Sequence, residues 1–104
     1  MIVSIDFDQT FTADPELFAA FAGLARQRGH TVIMVTGRAD RVMHSDPSRH
    51  WGDEVREAIR RAAAGPHLLD ALIFAADRPK RLAAEQAGYK VDVWVDDDPE
   101  HVGG

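Results

Sequence analysis

The chain has 104 residues, a net charge of -5 and no cysteine. That length bounds it to one domain with one modest core, and the missing thiols exclude disulfides, thiolate metal sites and a cysteine nucleophile. The acidity disfavours a nucleic-acid binder held by phosphate contacts, which carries a basic face, and no stretch has the length of a membrane span or the form of a secretion signal. A soluble cytoplasmic protein is the expectation.

Ile2 to Phe7 is a nearly continuous apolar run of strand length, as a strand covered on both faces requires. Asp14-Pro15-Glu16 then reads as a helix start, with a capping Asp, Pro at the first helical position and an acid in the first turn. Leu17, Phe18, Phe21, Leu24 and Ala25 follow at helical spacing; Phe18 and Phe21 read as core, and Gly29 as the stop. The pattern recurs. Thr31 to Val35 forms a second strand ending at Thr36-Gly37. A second helix starts near Asp53 and is closed by Gly65-Pro66, with Arg56, Arg60 and Arg61 on its wet face. "DALIFAA" is a third strand, Pro79 to Ala87 a third helix stopped by Gly88, and "KVDVWVDDDP" a fourth strand in which Trp94 reads as core and Asp98 as a helix cap. Strands alternating with helices, without a hairpin signal, predict an α/β fold: a three-layer α/β/α sandwich around a parallel sheet of about four strands. The longest irregular stretch runs from Arg38 to Gly52, the length of a lid or binding loop.

In an open parallel sheet, ligands bind beyond the carboxyl ends of the strands. Asp6 and Asp8 follow the first strand, Thr36 the second, and Asp96, Asp97 and Asp98 the fourth, so all fall at one edge. Residues i and i+2 of an extended chain face the same way, which aims Asp6 and Asp8 at one point. Two carboxylates about 4 Å apart repel by roughly 4 kcal/mol at an effective dielectric of 20, a large share of a domain's stability of about 5–15 kcal/mol. A cation resolves this, and an all-oxygen donor set suits magnesium. Magnesium beside a free carboxylate is an arrangement for handling phosphate, for which Thr36, the N–H of Gly37 and Lys80 would supply donors and positive charge.

The ordered set "DFDQT", "VTGR", Lys80 opening the last helix and "WVDDDP" resembles the aspartate-nucleophile phosphatases of the haloacid dehalogenase-like superfamily, from Ile2 to Pro99. The resemblance implies a magnesium-dependent phosphate monoester hydrolase. Asp6 would be the nucleophile and a metal ligand, and Asp8 the general acid/base with its carbonyl on the metal. Thr36 and Lys80 would hold the phosphoryl group, and Asp96 and Asp97 would complete the metal site, Asp97 being preferred as the direct ligand. Gln9 stands where the family usually has Gly. Five residues separate Asp8 from Asp14 and four separate Ala75 from Lys80, so neither gap holds the family's cap domain. Recognition of the leaving group, whether a small phosphorylated molecule or a macromolecular phosphate end, would fall to Arg38, His44, Arg49, His50 and Trp51. The alternatives are a receiver-like phospho-acceptor, which the strand order of the acids disfavours, and a magnesium- and phosphate-binding module without catalysis.

Overall fold

The computed structural model describes residues 1–63 and 68–103. Four strands, β1 (Ile2–Ile5), β2 (Thr31–Thr36), β3 (Ala71–Phe74) and β4 (Val93–Val95), alternate with three helices, α1 (Pro15–Gln27), α2 (Asp53–Ala62) and α3 (Lys80–Gln86). The fold is α/β. All strand pairs are parallel, in the order β3-β2-β1-β4, with Val3 opposite Val32 on one side and opposite Val93 on the other. The chain therefore steps outward from β1 through β2 to β3, then crosses back to lay β4 against the free side of β1. Right-handed crossovers put α1 and α2 on one face and α3 on the other.

Period-two alternation divides the core between these faces. Val32 and Met34 join Ile5, Phe7 and Phe11 beneath Ala22 and Ala25 of α1 and Val55 of α2. Ile33 and Val35 pack with Ala83 and Ala84 of α3, and Trp94 lies against that second cluster with the Arg81 guanidinium 5.7 Å over its ring. Each large side chain buried here contributes about 1.5–3 kcal/mol. Among the described residues no helix is long and apolar enough to cross a membrane.

α1 starts as its sequence dictates, with Asp14 Oδ1 accepting from the Leu17 N–H at 3.1 Å. Its docked face differs from expectation. Ala22 and Ala25 are buried and Phe18 is partly covered, but Phe21, read as core from its spacing, is 40 % exposed, and Leu17 and Leu24 are each 57 % exposed. Small residues let the helix approach the sheet closely, and the larger side chains one position earlier are rotated outward.

Arg60 and Arg61 pair with Glu57 in water, as a wet face requires, but Arg56 binds Asp40 and lies 5.1 Å over the Phe74 ring. That pins the long loop to α2. Gly52 allows it: a Cβ there would meet Asp40 Oδ1 at 2.6 Å and Phe74 at 2.7 Å. The loop, expected to be irregular, carries an antiparallel bridge between Val42 and His50, with the Met43 N–H donating to Arg49 O at 2.9 Å. The expected stop of α2 at Gly65-Pro66 lies outside the described residues.

Candidate active site

The chain leaves β1 toward β2 on one side and returns from β3 to β4 on the other, so the carboxyl ends of β1 and β4 form the switch point of the sheet. The chain turns there because Asp6, although its N–H still donates to Val95 O at 2.8 Å, gives its carbonyl to the N–H of Phe11 at 3.1 Å. Asp6, Asp96 and Asp97 arrive together at this point, with one carboxylate oxygen from each lying within 4.8 Å of the others. The three come from nearly opposite ends of the sequence.

Lys80, the first residue of α3, reaches into this cluster. Its Nζ donates to Asp6 Oδ1 and to Asp96 Oδ2, each at 2.6 Å, and all three side chains are 4–5 % exposed. Asp96 Oδ1 accepts the Asp98 N–H at 2.9 Å, so both of its oxygens are engaged, whereas Asp97 is exposed. Burial pushes the Asp6 carboxyl up to about 6; hydrogen bonding from Lys80 pulls it down, and Asp97 and the charge of Asp96 add to the rise. Burial also works against charge on Lys80, but its hydrogen bonds to Asp6 and Asp96 hold its pKa above the ordinary value. The cluster thus carries more negative charge than one lysine balances. An all-oxygen donor set with that excess has the chemistry to hold a hard divalent cation such as magnesium.

Asp8 faces the same cleft but is held elsewhere. Arg38 Nε donates to Asp8 Oδ2 at 3.0 Å and Nη2 to Oδ1 at 2.7 Å, while Nη1 reaches Glu54 at 2.9 Å and the guanidinium lies 5.1 Å over Phe7. The hydrogen bonds that Arg38 donates to Asp8, ahead of the one it donates to Glu54, hold its pKa far above the usual value. Arg38, expected to contact substrate, is therefore already engaged with the expected acid/base.

Asp6, Asp8, Arg38 and Lys80 line a cleft of about 490 Å³ together with Gln9, Gly37, Asp97 and Asp98, and a second cleft of about 370 Å³ shares Gly37 and Lys80 with it. His44, Arg49, His50 and Trp51, expected at the leaving group, line neither cleft; Arg38 does. Thr36 lies beneath the floor, fully buried, with its Oγ1 accepting the Arg38 N–H at 3.3 Å. Asp98 caps the turn Pro99–Val102, as expected, through Glu100 N–H at 3.2 Å. Sequence reasoning gave no role to Thr10, whose hydroxyl is buried 3.4 Å from Asp6 Oδ2, or to Glu54. Thr10 was visible in "DFDQT", four residues after Asp6; Glu54 gave no signal.

Gln9 occupies left-handed backbone at φ +63, with its N–H on Thr12 Oγ1 at 3.0 Å. That region costs a residue with a Cβ about 1–2 kcal/mol and glycine little. Gln9→Gly, which leaves the Thr12 contact in place, is expected to stabilise the fold by about 0.5–1 kcal/mol after the entropy glycine loses on folding, read as a higher urea midpoint at unchanged slope.

No family model, curated protein or solved structure matches this chain.

Proposed function

We propose that the protein is a magnesium-dependent phosphate monoester hydrolase working through an aspartyl-phosphate on Asp6. The observation that carries this reading is the convergence of Asp6, Asp96 and Asp97 at the switch point with Lys80 between two of them. Magnesium held by these carboxylates and the Asp8 carbonyl would neutralise phosphoryl oxygens and screen the substrate from the acids.

Lys80 holds Asp6 through Oδ1, and Oδ2, which accepts only the 3.4 Å contact from the Thr10 hydroxyl among the described residues, would be the attacking oxygen. Attack forms the Asp6 O–P bond and breaks the ester P–O bond, and the leaving alcohol takes a proton from Asp8. Asp8, now ionised, draws a proton from water as that water attacks phosphorus, and phosphate leaves with the Asp6 carboxylate restored. Arg38 must release Asp8 for the first transfer, and an incoming phosphate dianion competes for its guanidinium. The N–H of Gly37, an exposed residue at the cleft, would supply a further donor, and the Gln9 amide another. With no room for a cap between Asp8 and Asp14 or between Ala75 and Lys80, the site would take small phosphate esters or an exposed phosphate end of something larger.

The test is turnover of a chromogenic aryl phosphate with magnesium and with EDTA. Magnesium-dependent turnover is expected; none in the wild type rejects the reading. The bidentate hold of Arg38 on Asp8 favours a second reading, a magnesium- and phosphate-binding module without turnover, for which phosphate would bind and no alcohol would be released.

A separate readout follows from Asp6. Its folded pKa of about 6 lies above the ordinary 3.8, so its contribution to stability is present below pH 4 and is lost as pH rises through 6. Magnesium opposes that loss. At about ten times its dissociation constant it adds roughly 1.4 kcal/mol, which is about 5–10 °C for a domain of this size, at pH 7.5, and much less at pH 5. Thermal scans at the two pH values check this; an equal shift at both contradicts it.

A further inference from the structure

α1 carries a stripe that the fold leaves uncovered. Asp14, Leu17, Phe21, Leu24 and Arg28 succeed one another at spacings of three, four, three and four, the repeat of a helix-pairing seam. All five are exposed, the three apolar ones by 57, 40 and 57 %. The seam begins at the N-cap and ends at the C-cap, with one negative and one positive end, and among the described residues neither Asp14 nor Arg28 makes an ion pair within the chain. Each lies seven residues, two helical turns, from Phe21. An antiparallel copy of the same seam, centred on Phe21, brings Asp14 of each chain opposite Arg28 of the other at both ends and lays the two apolar runs together. A parallel copy would set like charges against each other. The helix macrodipoles also oppose one another in the antiparallel arrangement.

We infer that α1 is a homodimer interface, with two copies of the chain paired antiparallel about a twofold axis near Phe21. Such an interface is isologous and closes as a dimer. Three partly exposed apolar side chains from each copy make a small patch beside the roughly 1,000 Å² in total that stable association needs, so the dimer is concentration-dependent.

Sedimentation velocity from about 5 μM to about 1 mM reads the outcome. The wild type is expected to pass from monomer to dimer, and Leu17→Glu/Leu24→Glu, altered only at exposed positions, to remain monomeric while circular dichroism stays unchanged. Arg28→Glu and Asp14→Lys each set like charges together at both ends and are expected to weaken the dimer at least tenfold. An equimolar mixture of the two makes both end pairs attractive and is expected to associate again. Asp14→Lys also removes a helix cap, so its fold is verified first; Arg28→Glu with Asp14→Asn, which keeps a capping side chain, is expected to relieve the repulsion if it does not fold. A wild type monomeric at 1 mM, a dimer that survives Leu17→Glu/Leu24→Glu, or a mixture no tighter than either variant alone overturns the inference.

Discussion

Asp6→Asn is expected to lower the proposed magnesium-dependent hydrolysis of an aryl phosphate by about 10⁴-fold or more, because an amide cannot form the acyl-phosphate. The fold should survive. Ionised Asp6, with its pKa pushed up to about 6 by burial, costs the metal-free protein on the order of 3 kcal/mol at pH 7.5 relative to an unfolded carboxylate. Asparagine removes that cost while weakening the Lys80 contact, so the variant's urea midpoint in EDTA should be no lower than that of the wild type. Steady-state rates and denaturation on the same preparation separate chemistry from folding. A folded variant retaining a tenth of wild-type turnover would mean that another group attacks phosphorus.

The second large effect belongs to Lys80. Its ammonium is the shared partner of two carboxylates whose side chains, like its own, are 4–5 % exposed. Removing one member of a buried ion pair costs about 3–5 kcal/mol because the remaining charge is stranded, and here two acids are left. Lys80→Met is therefore expected to unfold at neutral pH or to lose most of its stability, which circular dichroism and urea titration measure. Adding Asp6→Asn and Asp96→Asn removes the stranded charges, and the triple variant should recover most of the loss while remaining inactive. If Lys80→Met is as stable as the wild type, the ion pairs of Lys80 with Asp6 and Asp96 do not hold the fold together.

Strand positions were legible because each apolar run is short and bounded by turn or helix-start residues. The ends were less so. β1 stops at Ile5 although the apolar run continues to Phe7, since Asp6 turns its carbonyl to Phe11. β4 keeps only Val93–Val95, and just before it the Asp92 carboxylate takes the Ile2 N–H at 2.7 Å, a side-chain bond that no apolar pattern encodes. The convergence of Asp6 with Asp96 and Asp97 could be read because parallel strands put their carboxyl ends at one edge. The clamp of Arg38 on Asp8 and Glu54 could not, since it depends on how the 38–52 loop folds back toward α2. The helix wheel of α1 misled for a related reason. Its apolar arc is wider than the sheet can cover, and the small Ala22 and Ala25 docked in preference to Phe21.

The strand order β3-β2-β1-β4 has a consequence for biosynthesis. β1 leaves the ribosome about ninety residues ahead of β4, and until then its far side is an open row of N–H and C=O groups, a template for wrong pairing. The same strand that closes this edge brings Asp96 and Asp97 beside Asp6. A nascent chain thus has no assembled acid cluster while it is still vulnerable to misassociation, and acquires the cluster in the step that ends the hazard.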